Sequence, residues 1–339
     1  MNIISFFHML SLPKPEYEAY CREMRLKRYQ KYGATVRWLR LHSFAHLLLI
    51  PLMKLYLFLS GKRYKVLLDN RQKTKRPIIY CPTHIGGTDI EMSFCAIKDP
   101  CWILMGDPRE LYKSVDGMLL QINGWIPMDG SVKEDRTVAK AQMIELLNNG
   151  GNLLLFPEGV QNISSNLLLN HLYTGAVELA IACNAEIIPI GIVNRNGTYY
   201  FAIGENIVYE GRTLEERYIL STELRDRMAT LVWNIIESFP VMERKKYMAP
   251  DYEQYINEIL DVGSGYTWTL QDIQNGMFKP KEQEDEEDVF TFFSTIEPRY
   301  ANAFLYRGNE KFWGDRGRTP VSHYYVVDGN YKQCRIPGD

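Results

Sequence analysis

His84 and Asp89 are the residues whose types and spacing first offer chemistry. They lie in the stretch Ile78-Ile79-Tyr80-Cys81-Pro82-Thr83-His84-Ile85-Gly86-Gly87-Thr88-Asp89-Ile90-Glu91. A hydroxyl is a poor nucleophile until its proton is removed, and a neutral imidazole removes it near pH 7. A carboxylate on the other ring nitrogen fixes the tautomer and steadies the imidazolium that forms. A spacing of five puts two side chains on different faces of an ideal helix or strand. Asp89 therefore reaches His84 only if the chain folds back between them. Gly86-Gly87 permits that reversal, because glycine tolerates positive φ.

Spacing alone is weak evidence. With six histidines in the chain, one chance His-x-x-x-x-Asp has odds on the order of one in four. A second copy does occur, His323-Tyr-Tyr-Val-Val-Asp328. It lies in a β-branched, aromatic run with no glycine between the partners. As a strand it points its His and Asp to opposite faces, so it reads as a half-buried edge strand without chemistry.

The elements around His84 fit the first copy. Ile78–Cys81 reads as a buried strand. Thr88 and Glu91 have the spacing of a capping box, which starts a helix at Asp89 or just after it. His84 thus falls on a turn at a strand's carboxyl end, where open α/β sheets bind ligands. Leu153-Leu-Leu-Phe-Pro-Glu-Gly159 is the other informative stretch. It places Glu158 at the end of a second buried strand, on a turn made by Pro157 and Gly159. If the two strands are neighbours, both turns open on one edge of the sheet. Glu158 can then accept hydrogen bonds from the hydroxyls of a polar substrate; by itself it reads as a turn residue facing solvent.

From Arg76 to about Ser238 strands and helices alternate, which means an α/β domain. Further strands are expected at Trp102–Met105, Trp125–Met128 and Asn152–Phe156. Glu186–Val193 and Thr198–Ile203 flank a hairpin turn at Asn194–Gly197. Helices are expected at Asp89–Ile97, Lys113–Leu120, Val132–Asn148, Tyr173–Cys183 and Leu214–Ser238. A net charge of −2 gives no global reason to expect nucleic acid. The six cysteines form no Cys-x-x-Cys pair and read as free thiols in a reducing compartment. Cys81, close to His84, reads as a core thiol.

Residues 1–65 read as a membrane-associating segment, 66–240 as the α/β domain, and 241–339 as an extension of unknown role with an acidic linker at 281–288. Glu16–Tyr32 has helical spacing and a basic bias. Phe44–Leu59 is apolar, but it is shorter than the roughly 20 residues of a comfortable span, and Pro51 and Lys54 interrupt it. A helix pair of this kind suits the lipid–water interface. No signal peptide is evident at the N-terminus.

Taken in order, His84-x-x-x-x-Asp89, Gly124-Trp-Ile-Pro-Met-Asp129, Phe156-Pro-Glu-Gly159 and Ile187-Ile-Pro-Ile-Gly191 resemble the four-block signature of the glycerolipid acyltransferase superfamily, of the lysophosphatidate acyltransferase (PlsC-like) type. The resemblance covers roughly residues 75 to 210. It implies a mixed central sheet flanked by helices, with an N-terminal helix pair lying on the cytoplasmic face of a membrane. It implies that His84 is the general base on an acceptor hydroxyl and that Asp89 orients it. Glu158, with Pro157 and Gly159, would seat the acceptor, a lysophospholipid or similar lipid. Gly124, Asp129 and Pro189 would shape the pocket. The co-substrate would be an acyl thioester of CoA or of acyl carrier protein, with no metal and no cofactor.

Two positions depart from the family pattern. An arginine common at the end of the second block is Gly130 here, and one in the third block is Gln161. Both family arginines are associated with the acceptor's phosphate, and neither glycine nor glutamine can replace their bidentate bonds. Lys133 and Arg136 are candidate substitutes, with a solvated helix face as the plainer reading. N-acylation of an amine lipid or amino acid, and a non-catalytic membrane-binding role, stay open as alternatives. Gly263-Ser264-Gly265 lacks the spacing of a serine-hydrolase elbow.

Overall fold

A computed structural model describes residues 11–13, 15–17, 19–20, 23, 39–106, 115–164, 167–240, 269–279, 323–327 and 330–334. Most of the expected helix at Glu16–Tyr32 and the linker at 281–288 lie outside these. The chain divides into two compact units, residues 1–279 and 280–339.

The first unit is built on one seven-stranded sheet. Its strands, in chain order, are β1 (Arg63–Asp69), β2 (Ile78–Pro82), β3 (Trp102–Gly106), β4 (Trp125–Met128), β5 (Leu153–Leu154), β6 (Glu186–Arg195) and β7 (Thr198–Ile203). The spatial order is β1-β7-β6-β2-β5-β3-β4. All neighbours pair in parallel except β6 and β7, so the sheet is mixed. The antiparallel pair follows from Asn196-Gly197, both at positive φ (53° and 74°). That is the requirement of a two-residue hairpin turn whose twist matches its strands.

Reversing β7 also reverses β1 beside it. Arg63 stands opposite Thr198, and Thr198 opposite Arg195, so β1 begins at the edge toward which β2 and β6 run. β1 is an addition to the strands expected from the sequence. Its alternation of half-buried Tyr64, Val66 and Leu68 with exposed residues is the period-two pattern of an edge strand.

Buried apolar residues cover both faces. Tyr80, Phe94, Ile103, Ile188 and Phe201 fill one side. Ile79, Leu146, Leu153, Val177 and Met228 fill the other. The helices are α1 (Leu39–Leu59), α2 (Asp89–Ile97), α3 (Val115–Asn123), α4 (Lys133–Asn148), α5 (Gly175–Cys183), α6 (Arg217–Glu237) and α7 (Leu270–Gly276). β5 is shorter than the expected Asn152–Phe156. Asn152 instead ties its neighbours together. Its Oδ1 accepts the Ile78 N–H, its Nδ2 donates to the Pro100 carbonyl, and its own carbonyl accepts the Trp102 N–H. It thereby fixes the starts of β2 and β3.

α1 differs from its expected form. It is one continuous helix of 21 residues that runs through Pro51, and it is long and apolar enough to cross a membrane by length and composition. His46, Ile50 and Leu57 are buried on one stripe, at the spacing of a single helix face. His46 donates from Nδ1 to Asn123 Oδ1 at 2.6 Å, which ties α1 to the end of α3. Away from that stripe, Leu41, Phe44, Leu47, Leu48, Leu52, Leu55, Phe58 and Leu59 are exposed.

α7 comes from the stretch read as a C-terminal extension. Its Ile273 is buried with Val160 and Ile163 of the first unit. The second unit contains an antiparallel hairpin, β8 (His323–Val327) with β9 (Asn330–Cys334).

Candidate active site

β2 lies directly beside β5, with Ile79 opposite Leu153 and Tyr80 opposite Leu154. The turns that follow them therefore open on one sheet edge. β2 is extended by Thr83, whose N–H donates to the Ile190 carbonyl and whose hydroxyl accepts the Ile192 N–H. The chain then reverses through Gly86 (φ 80°) and Gly87 (φ 61°), a backbone that costs an L side chain about 1–2 kcal/mol.

The reversal brings Asp89 back to His84. His84 Nδ1 lies 2.9 Å from Asp89 Oδ2. The same oxygen accepts the N–H groups of Ile85 (2.8 Å) and Gly86 (2.9 Å), so one carboxylate holds both the turn and the imidazole. α2 begins at Asp89 as expected, but not through the capping box. Thr88 makes no side-chain cap bond, and its N–H donates instead to the Tyr199 hydroxyl at 3.1 Å.

The His84 main chain is gripped by the third block. Its N–H donates to Glu158 Oε1 at 2.7 Å, and its carbonyl accepts the Asn162 N–H at 2.8 Å. Glu158 is fully buried, and its Oε2 accepts the Asn170 N–H at 2.7 Å. The structure thus places Glu158 as a brace between two main-chain donors. The Phe156 ring packs on the His84 imidazole, with centroids 4.5 Å apart.

These contacts set the charges. Burial disfavours the His84 imidazolium, but the Asp89 charge and hydrogen bond, with the Glu158 charge, outweigh it and raise the His84 pKa. Burial pushes Glu158 up to about 7 against the pull of its two N–H donors and His84. Burial also raises the Cys81 thiol well above its usual range, the environment of a core thiol. The His84 side chain is 13% exposed. With Nδ1 engaged, Nε2 makes no hydrogen bond among the described residues.

The remaining sequence candidates sort by position. Pro157 and Gly159 shape the turn itself: the Pro157 carbonyl accepts the Tyr173 N–H, and a Cβ on Gly159 (φ 77°) would stand 2.5 Å from the Tyr173 ring. Asp129 follows β4 on the same sheet edge, where its carboxylate accepts the N–H and hydroxyl of Ser131 and turns the chain into α4. Gly124 precedes β4 at the opposite end of that strand, where Trp102 fills its Cβ space; the structure does not bring it to His84. Pro189 sits in mid-sheet opposite Cys81 and packs beside Gly204. Lys133 and Arg136 are exposed in the first turn of α4, and Arg136 donates to the Gly130 carbonyl.

Asn162, Asn170 and Tyr199 escape the sequence reading. The two asparagines hold the site through main-chain groups, which any residue carries, so their side-chain identity gives no signal. Tyr199 reads as one more aromatic of β7.

The site is a histidine–carboxylate pair on a strand–helix turn, braced by a buried glutamate from the turn after the neighbouring strand. Residues 63–193 match the model of the family described as Acyltransferase. Over that stretch, less than half of the chain, the protein is similar to the Acyltransferase family. Among solved structures it is similar to PlsC, the 1-acyl-sn-glycerophosphate (LPA) acyltransferase from Thermotoga maritima. That likeness covers 66% of this chain and 91% of the other, at 15% identity and a TM-score of 0.49. A comparison with curated protein sequences gives no match.

Proposed function

We propose that this protein transfers a fatty acyl group from an acyl thioester, of CoA or acyl carrier protein, to the hydroxyl of a lysophospholipid-like acceptor at a membrane surface. The observation that carries the reading is the His84–Asp89 pair, with Nδ1 committed to the carboxylate and Nε2 open. Nε2 takes the hydroxyl proton as the oxygen attacks the thioester carbonyl carbon. The carbon–sulfur bond breaks, and the thiolate leaves with the proton carried by His84. Asp89 steadies the intervening imidazolium. Glu158 fixes the direction of the His84 main chain, and the Pro157–Gly159 turn it sits on forms the acceptor side.

The membrane part rests on α1. Its buried stripe runs from His46 to Leu57, so the domain packs along the helix for about 16 Å at 1.5 Å per residue. A helix packed on its domain over that length lies on the bilayer, with its exposed leucines and phenylalanines in the lipid. The cytoplasmic face is the side where acyl-CoA and acyl carrier protein are found.

At the two positions where the family carries arginine, Gly130 is exposed with nothing near its Cβ position, and Gln161 is buried. This favours an acceptor whose headgroup is not a terminal phosphate. The test is product analysis by mass spectrometry on vesicles. Acyl-CoA and acyl carrier protein donors are offered with lysophosphatidate, other lysolipids and amine lipids, and His84→Ala is the control. Acylated lysolipid that disappears in the control is the expected result. N-acylated product from an amine lipid alone would replace the O-acylation reading, and no product from any pair would overturn both.

A further inference from the structure

Arg225, in the middle of α6, lies outside the residues that match the family model. Its guanidinium donates from Nε to the Asn170 carbonyl at 3.0 Å and from Nη2 to the Leu169 carbonyl at 3.3 Å. Among the described residues it pairs with no carboxylate. A half-buried cation held by two successive carbonyls is an unusual arrangement, since arginine normally finds an acid when desolvated. The reason lies in the peptide it holds. The Leu169 carbonyl and the Asn170 N–H belong to one trans peptide unit and point in opposite directions. Fixing the carbonyl toward α6 therefore aims the N–H the other way, and there it meets Glu158 Oε2 at 2.7 Å. The other Glu158 oxygen holds the His84 N–H. A cation on the carbonyl also polarises the peptide and strengthens its N–H as a donor.

We propose that Arg225 is a positioning residue for the acyl transfer, acting through the Leu169–Asn170 peptide and Glu158 on the base His84. The proposal rests on the functional reading above. It implies that the machinery of the site extends one helix beyond the matched domain. Among the described residues, Asp89 and Glu158 act on the charge of His84, and His171, on the exposed side, faces Arg225.

The experiment is an NMR pH titration of the His84 imidazole in the full-length protein, with His84→Ala used to assign the signal. Four variants are compared with the native chain: Arg225→Gln, Arg225→Lys, Glu158→Gln, and the double variant Arg225→Gln/Glu158→Gln. Glu158→Gln removes a charge that favours the imidazolium, so the midpoint falls. Arg225→Gln weakens a donor that keeps Glu158 ionised, so the midpoint falls in the same direction by about half a pH unit. Arg225→Lys, which reaches one carbonyl, recovers part of the shift. In the double variant the arginine change adds nothing, because two residues acting in series are non-additive.

A native midpoint after Arg225→Gln, or an equal extra shift in the Glu158→Gln background, would overturn the proposal. So would Arg225→Gln and Arg225→Lys both failing to fold, which makes the role purely structural. If Glu158→Gln itself leaves the midpoint in place, the reading of the site fails first, and the Arg225 proposal falls with it.

Discussion

The same residue types at the same spacing occur twice in this chain, and the first copy folds back on itself. In the first, Gly86 and Gly87 turn the backbone through positive φ, and the His84 and Asp89 side chains meet at 2.9 Å. In the second, His323–Val327 is an extended strand of a hairpin with Asn330–Cys334. An extended backbone carries the chain about 13 Å from His323 to Val327, and Asp328 lies outside the described residues. Whether a His and an Asp at this spacing meet is thus a property of the backbone that joins them, and at His84 the two glycines supply the turn.

Substituting the two histidines tests this contrast most strongly. His84→Ala should cost roughly a thousandfold in turnover, read as acyl product per unit time on vesicles. His323→Ala should leave turnover unchanged. A comparable loss at both would remove the distinction.

Asp89→Asn should cost less, roughly a hundredfold. It keeps an oxygen for the Ile85 and Gly86 N–H groups and removes the charge. The pH profile sharpens the point. A base works when neutral, so on the proposed reading activity rises with pH in a limb through the His84 pKa, which the Asp89 charge and hydrogen bond hold above the ordinary imidazole value. Losing the Asp89 charge lowers the pKa, so the limb should move to lower pH. A limb that stays in place would mean another group governs it.

Gly87→Val should have a smaller effect on folding, about 1–2 kcal/mol of stability from forcing a β-branched residue to φ 61°. Thermal unfolding reads it, and activity should fall further because the turn opens. Tyr173→Phe is the mildest change. It removes the hydroxyl that donates to the Gly276 carbonyl at 2.8 Å, worth about 1 kcal/mol, and should leave the rate of acyl transfer within about twofold.

Much of this is legible in the residues. The apolar runs give five of the seven strands nearly in place, the Asn-Gly pair gives the hairpin, and the glycines give the reversal at His84. What stays hidden has physical reasons. β1 is half-exposed and opens on Arg63, so with Lys62 it reads as the basic flank of an apolar helix. The capping box at Thr88 gives a correct boundary through the wrong bond, because Asp89 holds the turn and Tyr199 takes the Thr88 N–H. Glu158 is visible as a carboxylate at a strand end. Its two main-chain partners are not, because an N–H leaves no mark on residue type. Arg225 reads as one more charge on an amphipathic helix until the peptide it aims is known.

The reversed direction of β1 has a consequence for kinetics. β1 starts at the sheet edge where β2 finishes, and α1 ends only four residues before it. The apolar helix therefore delivers the chain to the same edge that carries His84. On the proposed reading, the acceptor meets the base without leaving the bilayer plane. Its effective concentration is then its mole fraction among the lipids, so adding inert phospholipid at constant acceptor should slow the reaction, while adding water should not.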